Sequence, residues 1–230
     1  MSEVLNAIAT PRLLQLASPA LPVGAYSYSQ GLEWAIESGD VTDTHAARRW
    51  IEDHLALVIA RFEAPLYAAC FAAWQCEDGE EVARLNAEFI ASRESAEPRA
   101  ETLQVGFSYS AWCREVAPVT AAQRAALAAM DRVCAPVAAS LAALASGLTV
   151  RDGLCAYVFG FAENQVMVLA KALPMGQIAA QKLLFALGDP VMRTVNAALA
   201  IDEADWSSAS PWLAIAQMKH ETQYSRLFRS

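Results

Sequence analysis

Three histidines, five cysteines and several adjacent carboxylates are the residues of this chain that could do chemistry. His220–Glu221 reads like the start of a zinc-protease helix, in which a second histidine three residues further on completes the ligand pair. Position 224 is a tyrosine, so that pair is missing. His45 and His54 are nine residues apart, which puts them on opposite sides of an α-helix. His54 falls on an apolar stripe, where a core histidine is the ordinary reading. Cys70 and Cys76 sit about 120° out of phase on one helix and make no local chelate. Glu80–Glu81 and Asp202–Glu203 lie beside loops and read as helix starts or solvated faces. The chain has no GxxxxGK[ST], GxGxxG or GxSxG, and so no phosphate cradle, dinucleotide fingerprint or nucleophile elbow of its own. Nothing local assembles a catalytic or metal site.

The elements that would position these side chains are helical. From Thr44 to Phe62, apolar residues recur at Ala47, Trp50, Ile51, Leu55, Val58, Ile59 and Phe62, the signature of one buried stripe. Thr42 or Thr44 is expected to cap that helix, and Pro65 to break it. Further helical segments read at 64–76, 80–91, 100–116, 121–145, 153–173, 177–187 and 190–201, each ending at glycine or proline punctuation. No stretch alternates as a strand does. The expectation is a single all-α domain spanning 1–230, a compact bundle of about eight to ten helices, with residues 217–230 as a partner-docking tail.

Composition narrows the functions available. The 230 residues are 55% hydrophobic and only 18% charged, with a net charge of −8. That balance disfavours nucleic acid, which requires clustered positive charge. It leaves apolar surface for a protein partner. An odd number of cysteines without a CxxC fits free thiols in the cytoplasm, and the N-terminus lacks a secretory pattern. The uncharged run from Val133 to Val150 is alanine-rich and broken by Pro136 and Gly147, so it reads as a buried helix and not a membrane span.

Four segments stand out. SPALPVGAYSYSQGLE, residues 18–33, combines a proline–glycine turn with Ser27 and Gln30 at capping-box spacing and Glu33 near a helix start. Tyr26 and Tyr28 do not follow from capping. Lys171 is one of only three charges between Cys155 and Leu187, near a helix C-terminus. Residues 91–110, ASRESAEPRAETLQVGFSYS, read as a helix–helix connection held by ion pairs. The tail, HETQYSRLFRS, interleaves Tyr224, Leu227 and Phe228 with Arg226 and Arg229, the types enriched at interfaces. Such an end should dock, and its composition favours docking on another chain.

The first, third and fourth of these segments, in their order along the chain, resemble the urease accessory protein UreF family. LLQLASPALPVGAYSYSQGLE resembles its N-terminal signature, ASRESAEPRAETLQVG its middle motif and HETQYSRLFRS its ending. Ala25 stands where a glycine is frequent, and Pro98 where a helix would otherwise run through, so a helix is expected to start there. The resemblance implies an all-α homodimer without catalysis, cofactor or metal of its own. It implies binding to UreD (UreH), recruitment of the nickel-carrying GTPase UreG, and support of nickel insertion into apo-urease. Tyr26, Tyr28, Gln30 and Glu33 are the residues assigned to the UreG side, with Lys171 as a control point. Tyr224, Arg226, Leu227, Phe228, Arg229 and Ser230 are assigned to UreD. Two other classes stay open on the residues alone: an all-α enzyme holding a cofactor or metal between helices, and a direct nickel carrier.

Overall fold

The computed structural model describes residues 2–208 and 210–229, with side chains from residue 9 onward. Ser230 lies outside the described residues. Every described element is helical. Twelve α-helical segments follow in chain order: α1 Ser2–Leu16, α2 Leu32–Glu37, α3 Thr44–His54, α4 Ala64–Gln75, α5 Gly79–Ala91, α6 Ala96–Glu115, α7 Ala121–Ala129, α8 Ala135–Ala145, α9 Val150–Ala172, α10 Gln177–Ala186, α11 Gly188–Ala198 and α12 Pro211–His220. Short 3-10 turns cover Ala25–Ser27 and Glu203–Asp205. The all-α bundle expected from periodicity is therefore present. α1, which carries Pro11, was not foreseen.

The apolar stripe of α3 is buried except for the partly buried Trp50, but its cap is neither threonine. Asp43 takes extended dihedrals and its carboxylate accepts from the Ala46 N–H at 2.7 Å. The expected break at Pro65 is also absent. The chain runs from α3 through a nine-residue π-helical stretch, Leu55–Glu63, directly into α4. Pro65 falls in the first turn of α4, where its missing N–H is tolerated. Proline has no N–H to offer the Arg61 carbonyl four residues back, and that carbonyl accepts from Ser207 N at 3.0 Å. The rod Thr44–Gln75 thus keeps its direction and also anchors the C-terminal segment.

α8 is the buried centre, packed by α4, α6 and α9. It is made from the uncharged run noted in the sequence, and at 11 residues it is too short to span a bilayer. The stretches Thr44–Gln75 and Val150–Ala172 are long and apolar enough to cross a membrane, but 61% and 56% of their most apolar windows are buried inside the fold. Trp74 donates its indole N–H to the Val137 carbonyl at 3.0 Å, which fixes α4 on α8. α6 begins at Ala96, so Pro98 lies in its first turn as expected. Gly106 of α6 faces the backbone that leads into α8. A Cβ there would lie 2.0 Å from the Val133 carbonyl oxygen. The five cysteines are free, and burial pushes the Cys113 and Cys134 thiols up to about 12, so those two behave as core.

Glu80–Glu81 open α5 behind the Asp78 cap, as read from sequence. Arg84 of α5 pairs with Glu81, Glu88 and Glu203, joining that helix to the 3-10 turn. Backbone meets backbone at Gly106, so no side chain can yield there. Gly106→Ala is expected to lower unfolding stability by about 3 kcal/mol, the upper part of the range for overpacking. Urea denaturation measures it, and a change under about 0.5 kcal/mol would show that α6 is free to shift.

Candidate partner-docking site

The segment 18–31 folds as a loop in which Gly24 and Gly31 have φ of 77° and 85°. The Ser27–Gln30 capping box does not form. Gln30 itself has φ 56°, a left-handed conformation that no third residue of a helix can hold. α2 starts later, after Gly31, with no side-chain cap. Gln30 instead donates its side-chain amide to Glu101 of α6 at 2.6 Å. A true capping box forms elsewhere, between Thr120 and Gln123 at the start of α7. Gly31 has a second role. A Cβ there would approach Ala216 and Gln217 of α12 to 3.2–3.3 Å, so the bare glycine lets α12 lie against α2. Trp34 and Trp212 meet edge to face at 6.0 Å across the same contact.

That crossing brings one carboxylate to the centre of the site. Glu33, in the first turn of α2, is buried. Its two oxygens accept the Leu227 N–H at 2.6 Å and the Phe228 N–H at 3.0 Å. His220, at the end of α12, places Nε2 3.1 Å from Glu33 and Nδ1 2.8 Å from Glu97. The other Glu97 oxygen takes Arg226 at 2.7 Å. Two carboxylates thus face a histidine and an arginine, and most of the cluster is out of water. The Arg229 N–H adds a bond to the Ser27 carbonyl at 2.8 Å.

These bonds seat the tail on its own domain. The composition of HETQYSRLFRS pointed to another chain, but backbone N–H groups at 227–229 find acceptors nearby, and Phe228 is buried. Lys171 at the end of α9 lies over the Phe228 ring with Nζ 5.2 Å from its centroid. Tyr224 is fully exposed and Leu227 is two-thirds exposed. With Trp212, Ile215 and Met218 on the outer side of α12, they leave apolar side chains facing solvent.

The two tyrosines look inward. The Tyr26 hydroxyl donates to Glu163 of α9 at 2.9 Å, and burial together with that carboxylate holds it well above the ordinary phenol range. Tyr28 is buried, and its carbonyl accepts from the Asn164 side chain at 2.9 Å. Burial raises its phenol while the Arg229 side chain opposes that shift. Gln30, Glu33, Lys171, Arg226, Phe228 and Arg229 therefore belong to one neighbourhood. Sequence reasoning missed His220 as its pivot, having weighed it only against a zinc motif that Tyr224 rules out. Its signal was its register: Leu213, Ala216 and His220 share the buried face of α12. No group of three or more His, Cys, Asp or Glu side chains placed to hold a metal ion occurs among the described residues.

Glu33→Gln keeps the shape but turns one tail acceptor into a donor. It is expected to cost about 2 kcal/mol of stability and to speed amide exchange at Leu227 and Phe228. Unchanged exchange at both amides would refute the anchoring role of Glu33.

Comparison with known proteins points one way. The family described as UreF matches residues 41–188, more than half of the chain. The urease accessory protein UreF of Azoarcus sp. (strain BH72) is 53% identical over 224 residues, covering 95% of this chain and 94% of its own length. That of Dechloromonas aromatica (strain RCB) is 49% identical over 220 residues, and that of Cupriavidus taiwanensis is 48% identical over 221, each covering 95% of this chain and 96% of its own.

Proposed function

Because the chain belongs to the UreF family of urease accessory proteins, we propose that it serves urease maturation in the cytoplasm as a non-catalytic docking protein. In this reading it works as a homodimer and binds UreD through the outward side of its tail. The pair recruits the GTPase UreG, and the assembly supports nickel insertion into apo-urease. Gln30 and Lys171 lie on the UreG side, with Tyr26, Tyr28 and Glu33 holding that surface from within, and their task is to restrain unproductive GTP turnover.

One observation carries the reading: Phe228 is buried between the Glu33 anchor and Lys171, while its neighbours Tyr224 and Leu227 point outward. An aromatic and a leucine fully or largely in water are what an interface core requires. The residues assigned to the two partners touch each other through Phe228, so occupancy of one surface has a physical route to the other. Lys171 sits at that junction, and the ring it covers belongs to the tail.

Two experiments test this. Tyr224→Ala with Leu227→Ala leaves the seated residues intact and is expected to weaken UreD binding at least about tenfold, the loss of one hot-spot contact. Normal capture of UreD by that variant would remove the tail from the interface. Lys171→Ala, mixed with UreD and UreG, is expected to raise GTP turnover in the absence of apo-urease. Turnover and urease activation equal to wild type would end the gating role of Lys171.

A further inference from the structure

The N-cap serine of α6 caps nothing. Ser95 has the extended dihedrals that an N-cap requires, φ −126° and ψ 171°, yet its side chain makes no cap bond. A serine in that position accepts from the N–H of the second or third helical residue. The third residue of α6 is Pro98, which has no N–H, so Glu97 is the one donor that fits the pattern. That N–H is already taken: it donates to the Glu221 carboxylate, just beyond α12, at 3.0 Å. The Ser95 Oγ is left buried with no hydrogen-bond partner among the described residues.

Glu97 is where the start of α6 meets the tail. Besides the backbone bond to Glu221, its carboxylate lies 2.8 Å from His220 Nδ1 and accepts from Arg226 at 2.7 Å. Three residues of the segment 220–226 thus converge on one residue of α6. One turn further along the same helix face, Glu101 accepts from the Gln30 side chain at 2.6 Å and so holds the loop. The first two turns of α6 therefore carry the tail at one residue and the loop at the next residue of that face.

The two acceptors make two self-consistent arrangements. With the tail seated, Glu221 satisfies the Glu97 N–H and the Ser95 oxygen is idle. With the segment 220–229 lifted, that N–H loses its acceptor, and Ser95, already in the cap conformation, supplies the replacement. Each state keeps one cap bond, so the loss of Glu221 is offset when the tail leaves. An element with two discrete arrangements is what coupling between distant sites requires. We propose that α6 has two interchangeable caps, Glu221 when the tail is seated and Ser95 when it lifts, so that the start of α6 registers the state of the tail and passes it to the loop through Glu101 and Gln30. The use of this switch between partners rests on the docking reading given above, whereas the exchange of caps is a property of the chain alone.

Hydrogen exchange at single amides, followed by NMR on the full chain, tests this. Ser95→Ala removes the reserve cap and disfavours the lifted state alone. Exchange at Leu227 and Phe228, which requires lifting, is therefore expected to slow about fivefold, the equivalent of one ordinary cap. Glu221→Ala is expected to speed it, since the seated tail loses a bond, yet to leave the Glu97 amide protected to within about threefold, because Ser95 takes over. Glu221→Gln keeps an acceptor and is expected to match wild type. In the double variant, Ser95→Ala with Glu221→Ala, the Glu97 N–H has neither acceptor and is expected to exchange at least tenfold faster than in either single variant. Tail exchange that Ser95→Ala leaves unchanged or speeds overturns the proposal. So does a double variant whose Glu97 amide exchanges no faster than that of Glu221→Ala. The chain is measured without UreD or UreG, so the result stands apart from whether the tail captures UreD.

Discussion

The Glu33 carboxylate is the fixed point on which the loop, the tail and α12 of this molecule meet. It is buried in the first turn of a six-residue helix, and it accepts two backbone N–H groups from the far end of the chain and a ring nitrogen from α12. A buried carboxylate without such partners would be strongly unfavourable. Here the donors are a histidine that bridges to Glu97 and two amides that have no helix to satisfy them. The same interaction therefore solves two problems, since it pairs a buried charge and gives an irregular tail its hydrogen bonds. The aromatic contact of Trp34 with Trp212 and the bare backbone of Gly31 bring α12 close enough for that geometry.

From this point the outer surface follows. The tail is held by its backbone and by Phe228, so its remaining side chains are free to serve other molecules. Tyr224 and Leu227 stay in solvent beside the exposed apolar residues of α12. Lys171 connects the tail to the long helix α9, whose middle turns hold the loop through Glu163, Asn164 and Gln165. Loop, tail and helix end are packed as one unit, which gives the proposed coupling between partners a contiguous physical route. The reading as an accessory protein that works by contact draws on this packing and on family membership together.

Much of the fold could be read directly. The stripe from Ala47 to Phe62 is buried apart from the partly buried Trp50, although its second half is π-helical where its period implied an α-helix, and Pro98 marks a helix start. What could not be read was local geometry set by distant parts. The Ser27–Gln30 spacing suited a capping box, but Glu101, far along the chain, holds Gln30 in a conformation that excludes it. Asp43 displaced two threonines as cap because its carboxylate reaches the Ala46 N–H. Pro65 did not break the rod, since the π-helical stretch before it and Ser207 beyond it absorb the lost bond. The members of the candidate site were legible as residue types, since the segments around Glu33, Lys171 and Phe228 were all singled out. Their mutual contact was not, because it depends on Gly31 letting two helices cross. His220 was hidden for the same reason: its partners come from positions 33 and 97, and no spacing rule links them.

The central claim is that Glu33 and Phe228 act together as one anchor for the docking surface. A double-mutant cycle on UreD affinity, with Glu33→Gln, Phe228→Ala and the pair, measures this directly. The account predicts that the double variant loses little more than the worse single variant, because either change releases the tail. Losses that add in full would contradict it, showing two independent contacts and no common anchor.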